Sequence, residues 1–386
     1  MTVKPLFIST YPPRECGIAT FTNDLVNAIE QKATSVECSI VAISKEKHLY
    51  NEKVVFDINQ DKFSDYVKAA NYINISKNDV VVIEHEYGIF GGQDGEYIIP
   101  FVKLIKKPII TTFHTVLKNP NTKQFEILKK LSEISYKVIT MANSTKDILI
   151  NQYDVPEEKI KIIHHGVPLM NLADTEYLKK KYNLENKKII STFGLISPGK
   201  GLEYSIKAME KISKEVPNAI YLILGQTHPC VKKIKGEEYR NSLVSLVNQL
   251  NISNNVMFVD RYLTKKEIME YLKISDVYLT PYIGREQAVS GTLAYAIGSG
   301  KAIVSTPYTY AKEMLSDGRG LLVEFEDHFS IADAVISILI DDKLKKSLET
   351  KAFKIGKEMF WPNIASKVIN LLKGAANTYK KVGVIA

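Results

Sequence analysis

The chain has 386 residues, of which 45% are hydrophobic and 24% charged, which suits two globular domains with sizeable cores. The net charge of +8 favours anionic partners, but 43 acidic residues are mixed among 51 basic ones, which argues against nucleic acid as a partner. Three widely separated cysteines indicate neither a disulfide framework nor a metal cluster. No apolar run reaches the roughly 18 residues of a membrane span. We expect a cytoplasmic protein, with peripheral attachment to the cytoplasmic face of a membrane as an alternative.

In the first half of the chain, short apolar runs alternate with amphipathic segments. The runs predict strands at 6–9, 38–43, 79–83, 108–112, 138–140 and 160–163. A turn containing Gly17 follows the first strand and leads into a predicted helix at 20–29. Continuous apolar strands separated by helices indicate a parallel sheet that is covered on both faces. Ligands of such sheets bind beyond the carboxyl ends of the strands, where Glu86 and His114 are expected.

The second half repeats this pattern after a polar stretch, 171–188, which we interpret as an inter-domain segment. Strands are predicted at 188–193, 219–224, 256–259, 276–280 and 302–304, and a loop with Lys200 between two glycines follows the first of them. Within 285–307, Ser290-Gly291-Thr292 opens a predicted helix, whose free N–H groups would form an anion site. The chain is thus predicted as two similar α/β halves with a cleft between them.

Several motifs, in chain order, carry a resemblance to a known family. They are TYPPRECGIATFTNDL, ITTFHTV, IIHHGVP, FGLISPGKG, SDVYLTPY, the stretch 285–307 and FWPNIASKVINLL. Together they resemble glycosyltransferase family 4, the retaining nucleotide-sugar enzymes of the GT-B fold. The resemblance implies two Rossmann-like domains that face each other across a cleft, 1–168 on the acceptor side and 187–360 on the donor side. A terminal helix within 361–386 would cross back to the first domain.

Site roles also come from the resemblance. Gly17 would let the backbone approach the donor phosphate or the acceptor, and His114 would contact the transferred sugar near the reacting carbon. Lys200 would neutralise the departing diphosphate, and the helix start at Ser290, Gly291 and Thr292 would add N–H donors to the same phosphates. The family works without a bound metal, so we expect no metal site and no required cofactor.

The chain departs from the family pattern in its donor region. The two glutamate columns of the family fall on Gln287 and Tyr295, with Glu286 one place off the first, and the arginine of the Lys-Gly loop is Leu195. Arg285 or Arg261 is a candidate to replace the lost charge, and Gln287 can hydrogen-bond a sugar hydroxyl. A sub-group with an altered donor site is our preferred interpretation, with lost activity or a sugar-phosphate donor as the alternatives.

The predicted function is transfer of a hexosyl group from a nucleotide-diphosphate sugar to a sugar, glycan or lipid-linked acceptor. Arg14 and Glu86 are the candidates on the acceptor side. Two rivals remain open, a GT-B phosphorylase or other sugar-phosphate-using enzyme, and a non-catalytic module that binds a sugar or nucleotide. The sequence does not predict the sugar, the nucleotide, the acceptor or the oligomeric state.

Overall fold

A computed structural model describes residues 2–383 and divides the chain into two compact units. The first unit contains residues 1–166 together with 361–386, and the second contains residues 167–360. The last three residues of the predicted terminal segment, 384–386, lie outside the described part. Each unit has a hydrophobic core of its own, built around one sheet.

The first unit is built on a seven-stranded parallel sheet. Its strands are β1 (Pro5–Ser9), β2 (Ser39–Ser44), β3 (Val54–Asn59), β4 (Val80–His85), β5 (Ile109–Phe113), β6 (Lys137–Thr140) and β7 (Ile160–Ile162). They lie in the order β3-β2-β1-β4-β5-β6-β7. In the central register, Phe7 of β1 pairs with Ile40 on one side and Val82 on the other. Every residue of β1 and β4 is buried, as a sheet covered on both faces requires.

Five helices connect these strands: α1 (Gly17–Lys32), α2 (Phe63–Ile75), α3 (Ile98–Leu104), α4 (Thr122–Ile134) and α5 (Asn143–Asn151). Helix α1 buries Phe21, Leu25, Val26 and Ile29, the face that the sequence pattern predicts. Its first turn is capped by Cys16, whose Sγ accepts a hydrogen bond from the Ala19 N–H at 3.3 Å. The helix therefore starts three residues before the predicted one, directly at Gly17.

The second unit has a six-stranded parallel sheet. Its strands are β8 (Lys188–Phe193), β9 (Ala219–Leu224), β10 (Val256–Val259), β11 (Val277–Thr280), β12 (Ala302–Ser305) and β13 (Leu321–Leu322), in the order β10-β9-β8-β11-β12-β13. The helices are α6 (Thr175–Lys181), α7 (Leu202–Glu215), α8 (Pro229–Lys235), α9 (Glu238–Gln249), α10 (Lys265–Ile274), α11 (Gly291–Gly298), α12 (Thr309–Met314), α13 (His328–Ile340) and α14 (Asp342–Gly356).

The chain returns to the first unit through its last helix, α15 (Trp361–Gly383), which packs on α1. Pro362 is the second residue of α15, a position where a missing backbone N–H costs nothing because no helical acceptor exists for it. In the same unit Gly166 lies against the Trp361 indole, and an added Cβ would stand 2.2 Å from the ring. This crowding explains why glycine occupies position 166.

Two features of the fold differ from the sequence predictions. The stretch 171–188 is not an open linker: Asp174 accepts a hydrogen bond from the Tyr177 N–H at 2.8 Å and caps α6, which packs on α10 inside the second unit. Strand β3 was not predicted, because its residues alternate in burial at the sheet edge instead of forming an apolar run. The doubly wound α/β architecture itself is confirmed.

Both sheets reverse their strand order at one point. In the first sheet the switch lies between β1 and β4, and in the second between β8 and β11. Doubly wound sheets bind their ligands outside the carboxyl ends of the strands at such a point. The loops after these four strands are therefore where functional side chains are expected.

Candidate active site

In the second unit, the loop after β8 brings Lys200 to the end of β11. Gly201 has φ of +60°, and an added Cβ would lie 2.2 Å from the Pro281 carbonyl oxygen. Only glycine fits this close approach of the two loops. As a result, the Lys200 Nζ lies 3.9 Å from the centre of the Tyr282 ring, over its face. The position of the cation is thus set by the switch point of the sheet.

The start of α11 faces the same place. Ser290 is the N-cap, and its Oγ accepts a hydrogen bond from the Leu293 N–H at 3.3 Å. The Tyr282 hydroxyl lies 2.7 Å from the Thr292 Oγ1, which is 3.1 Å from the Ser290 Oγ. We call Lys200, Tyr282, Ser290 and Thr292 the phosphate cluster. It combines one ammonium, three hydroxyls and the N-terminus of a helix.

The electrostatics of the phosphate cluster are visible in the Tyr282 hydroxyl. Burial by itself would raise the pKa of this phenol, but the nearby Lys200 charge and hydrogen bonds with Lys200, Thr292 and Ser290 outweigh it, so the pKa is lowered. The cluster therefore favours negative charge. This preference is what an anion-binding site requires.

A small pocket adjoins the phosphate cluster. It is lined by Thr192, Phe193, Gly194, Leu195, Ile196, Lys200, Leu202, Ile223 and Leu224. The Gly194 backbone lies beside α11, since an added Cβ would stand 3.4 Å from the Thr292 Cγ2. Leu195, which stands where the family has arginine, shares this pocket with Lys200. The pocket wall is therefore apolar where a second cation would stand.

The other predicted donor residues have different surroundings. The Arg285 guanidinium lies 4.2 Å from the centre of the Phe325 ring, and the Gln287 Nε2 donates to the Val289 carbonyl at 3.0 Å. Glu286 is exposed. Arg261, the other suggested substitute for the missing cation, is paired with Glu267 through both of its terminal nitrogens. None of these contacts joins the phosphate cluster.

Tyr295, at the position of the second family glutamate, is buried in α11. Its ring centre lies 6.1 Å from that of Phe193, which lines the pocket. An aromatic surface therefore stands where the family has a carboxylate. Such a surface can contact an apolar or flat ligand group, but it cannot accept a pair of hydrogen bonds as a carboxylate does.

In the first unit, His114 lies directly after β5 and is held by three contacts. Its backbone N–H donates to the His85 backbone carbonyl at 3.0 Å, and its ring Nε2 lies 2.8 Å from the Glu84 Oε2. The Phe21 ring packs edge-on against the imidazole, with ring centres 4.7 Å apart. Glu84 is fully buried, and its Oε1 has no hydrogen-bond partner within residues 2–383. The imidazole is thus fixed by a buried carboxylate that sequence reasoning did not single out.

Two further histidines of the first unit are His85, which is fully buried, and His165, which is partly buried. Burial and the nearby His114 lower the pKa of His85 to about 3, and both its ring nitrogens lack partners in the described part of the chain. Burial also lowers the pKa of His165 to about 4, against the effect of a hydrogen bond with the Gly166 carbonyl. Both rings are therefore neutral near pH 7 and serve as packing elements around His114.

Three more predicted residues belong to the first unit, Arg14 and Glu86 in loops and Gly17 at the start of α1. Gly17 is exposed, and an added Cβ would meet nothing within 4 Å, so its backbone is open to an approaching ligand. The Arg14 guanidinium donates to the Ile43 carbonyl at 3.2 Å and to the Gln60 Oε1 at 3.3 Å. The Glu86 carboxylate accepts from the Tyr87 N–H at 3.1 Å and the Thr115 hydroxyl at 2.6 Å.

The structure therefore brings Lys200, Ser290, Gly291 and Thr292 together and adds Tyr282. It places His114, Arg14 and Glu86 in loops of the first unit and Gly17 at the start of α1, and it leaves Arg285, Glu286 and Gln287 outside the phosphate cluster. Glu84 and Tyr282 were missed as site residues. Their one signal in the sequence is that each is a polar side chain within two residues of the end of a strand at a switch point.

A cation and hydroxyls at the switch point of a doubly wound sheet define an α/β protein whose ligand carries phosphate or another anion. Comparison with known families makes this specific. Residues 174–355 match the family described as Glycosyl transferases group 1, and residues 17–170 match the one described as Glycosyltransferase Family 4. The two ranges thus match glycosyltransferase models, and the structure has the GT-B fold of such enzymes: the chain is a glycosyltransferase.

Similar proteins are consistent with this assignment. An uncharacterized glycosyltransferase of Methanocaldococcus jannaschii is 25% identical over 317 residues, 79% of this chain and 78% of the relative. The phosphatidyl-myo-inositol mannosyltransferase of Mycolicibacterium smegmatis is 25% identical over 280 residues, 72% of this chain and 68% of the relative.

Solved structures share the fold. Anabaena HepE, in complex with UDP and glucose, has a TM-score of 0.75 at 15% identity, covering 96% of this chain and all of that one. Sucrose-phosphate synthase of Thermosynechococcus elongatus has a TM-score of 0.76 at 16% identity, covering 99% of this chain and 100% of that one. None of the helices between residues 2 and 383 is both long and apolar enough to cross a membrane.

Proposed function

We propose that this glycosyltransferase moves a hexosyl group from a nucleotide-diphosphate sugar to a sugar, glycan or lipid-linked acceptor, with retention of the anomeric configuration. The phosphate cluster is the observation that carries the proposal. Its ammonium lies 3.9 Å from the centre of the Tyr282 ring, and the Thr292 Oγ1 lies 2.7 Å from the hydroxyl of the same tyrosine. These groups match the oxygens of a diphosphate in both charge and hydrogen bonding.

The reaction needs positive charge at the leaving group. As the bond between the anomeric carbon and the diphosphate oxygen breaks, its electrons pass to that oxygen and an oxocarbenium-like sugar remains. Fixed donors that meet the growing negative charge lower the barrier, because they need no reorganisation during the reaction. Lys200 supplies the cation, while Ser290, Gly291 and Thr292 supply hydroxyl and N–H donors.

The acceptor hydroxyl is proposed to attack from the face that the diphosphate leaves. The acceptor oxygen then forms the new bond to the anomeric carbon, and its proton passes to an oxygen of the departing phosphate. This sequence needs no side-chain nucleophile and no metal, so we propose that no cofactor is required. Retention of configuration follows from attack on the same face.

His114 is proposed to contact the transferred sugar. The Glu84 hydrogen bond to its Nε2 leaves the Nδ1 and the backbone carbonyl as the groups that can meet a sugar hydroxyl. Glu286 and Gln287 would contact the donor sugar, and Arg285 the phosphates, only after their loop changes its present contacts. Gly17, Arg14 and Glu86 are proposed to serve the acceptor.

The nature of the donor is supported by a structural relative. HepE has been solved with UDP and with UDP-glucose, and it shares the fold over 96% of this chain. We therefore propose a nucleoside diphosphate as the leaving group here. A lipid-linked acceptor would be consistent with a protein that works in the cytoplasm and attaches to the membrane face when its substrate requires it.

Incubation with labelled UDP-, GDP- and ADP-sugars, and in parallel with hexose 1-phosphates, tests the proposal. We expect label in a glycan or lipid product from one nucleotide sugar, and a much lower yield from His114→Ala and Lys200→Ala. Proton NMR of the new linkage should show the donor's anomeric configuration. Turnover of a hexose 1-phosphate, with none of any nucleotide sugar, would instead establish a phosphorylase-type enzyme. Unchanged glycan output in both variants would favour a non-catalytic binding module.

A further inference from the structure

Tyr282 links the two halves of the phosphate cluster. It follows β11 directly after Pro281, and its side chain is almost fully buried. The Lys200 ammonium lies over its ring face, and its hydroxyl contacts the Thr292 side chain at the start of α11. One side chain thus touches both the loop after β8 and the helix that begins after β11.

We infer that Tyr282 is a positioning residue of the donor-phosphate site, which seats the Lys200 ammonium on its ring face and orients the Thr292 hydroxyl through its own. This inference rests on the proposed function, because it assumes that Lys200 and Thr292 meet the diphosphate. Tyr282, which is buried like a core residue, would then hold the two side chains that bind the diphosphate, Lys200 and Thr292, in place.

The ring matters because Lys200 is a long side chain with several rotatable bonds. An ammonium that had no partner in the empty site would sample many rotamers, and ordering it on ligand binding would cost affinity. An aromatic face attracts a cation without neutralising it, whereas a carboxylate would compete with the phosphate for the same charge. Because Leu195 stands where the family has arginine, the Lys200 ammonium has to neutralise more of the negative charge of the diphosphate.

The hydroxyl matters because of the direction of its hydrogen bond. Either hydroxyl of the Tyr282–Thr292 pair can be the donor, and a phosphate oxygen that accepts the Thr292 proton leaves Tyr282 to donate to the Thr292 Oγ1. The proton of Thr292 then remains available for the Ser290 Oγ, 3.1 Å away, or for a phosphate oxygen. The chain of hydroxyls thereby presents a donor to an anion and not a lone pair.

The chain offers a matched control for this tyrosine. Tyr221 of β9 is also fully buried, and its hydroxyl donates to the Thr192 Oγ1 at 2.8 Å, the same kind of contact between a phenol and a threonine that Tyr282 makes. Neither Tyr221 nor Thr192 belongs to the phosphate cluster. Tyr221→Phe therefore removes a buried phenol from the core of the same unit and leaves the hydroxyl contacts of Ser290 and Thr292 in place.

The experiment compares wild type, Tyr282→Phe, Tyr282→Leu and Tyr221→Phe by calorimetric titration with UDP, GDP and ADP and with the corresponding nucleosides. For the nucleotide that the wild type binds, we expect Tyr282→Phe to weaken diphosphate binding about three- to tenfold, through loss of the hydrogen bonds of its hydroxyl. Tyr282→Leu should weaken it by about threefold or more beyond that, through loss of the ring face. Nucleoside binding should stay unchanged in both, and Tyr221→Phe should bind as the wild type.

Two double-mutant cycles show whether Tyr282 acts through its partners. The extra effect of Tyr282→Leu over Tyr282→Phe should vanish when Lys200 is already methionine, and the effect of Tyr282→Phe should become smaller in a Thr292→Val background. The second cycle keeps the aromatic core intact and so remains informative if Tyr282→Leu does not fold.

The inference is overturned if Tyr282→Phe binds the diphosphate like Tyr221→Phe, or if the effects persist undiminished in the Lys200→Met and Thr292→Val backgrounds. A wild type that binds no nucleoside diphosphate at all would overturn the proposed function instead. The two failures are therefore distinguishable in the same set of titrations.

Discussion

Replacement of Lys200 by methionine should reduce donor binding and turnover while leaving the fold intact. Methionine keeps an unbranched side chain of similar length that can still lie on the Tyr282 ring, but it removes the charge. Within residues 2–383 the ammonium lies over a ring face and not in a salt bridge, so its loss removes little from the stability of the unit.

The size of the effect follows from the geometry. One charge-assisted contact between an ammonium and a phosphate oxygen, in a partly buried site, is worth about 2–3 kcal/mol. Because about 1.4 kcal/mol corresponds to a factor of ten, binding of the nucleoside diphosphate should weaken about 30- to 150-fold. The developing charge on the leaving group grows in the transition state, so kcat should fall as well.

Lys207 provides the matched control. It is exposed on α7, and its Nζ lies 5.5 Å from the centre of the Tyr204 ring, a similar contact away from the phosphate cluster. Calorimetric titration of Lys200→Met and Lys207→Met with the preferred nucleoside diphosphate should show weakening in the first variant alone, at equal Tm. Equal affinity in both variants would refute a phosphate role for Lys200.

Three other changes test the account. Gly201→Ala puts a Cβ at φ of +60° against the Pro281 carbonyl oxygen, so the variant should unfold about 1–3 kcal/mol more easily in urea than the wild type and lose donor binding; a free energy of unfolding equal to that of the wild type would contradict the close approach. Burial lowers the pKa of Lys301 to about 8, so between that pH and 10.5 the unfolded chain binds more protons than the folded one. The free energy of unfolding of the wild type, measured relative to that of Lys301→Met, should therefore rise by about 2 kcal/mol from pH 7 to 9.5. A difference between the two proteins that does not change with pH would refute the buried cation. Glu84→Leu should lower kcat much more than Glu84→Gln, because glutamine keeps a hydrogen-bonding oxygen for the His114 ring, and equal losses would contradict a role in fixing that ring.

The fold was largely predictable because the central strands are continuous apolar runs. Such a run is buried on both faces of a parallel sheet and leaves an unambiguous signal, as in β4 and β9, whose residues are all buried. The signal fails at the edges, where β3 alternates in burial and β13 has only two residues. It also failed for 171–188, because a charged composition does not reveal that Asp174 caps a helix.

The candidate site was predictable where local sequence fixes the chemistry. Ser290 before a helical apolar pattern indicates an N-cap, whereas the phosphate role of Lys200 was predicted from the resemblance to a known family. The partners of these residues were not predictable, because they come from distant segments. Tyr282 has the hydropathy of a core residue, and Glu84 meets His114 across 30 positions of sequence. Only the strand order of each sheet brings them together.

The central claim is that the leaving group is a nucleoside diphosphate. Phosphorus NMR tests it most directly, on a reaction that contains nucleotide sugars, hexose 1-phosphates and a mixture of glycan and lipid-linked acceptors. As sugar is transferred, the account predicts that the resonances of one nucleoside diphosphate grow, and that Lys200→Met slows this growth. Growth of inorganic phosphate alone, with every nucleotide sugar left intact, would contradict it.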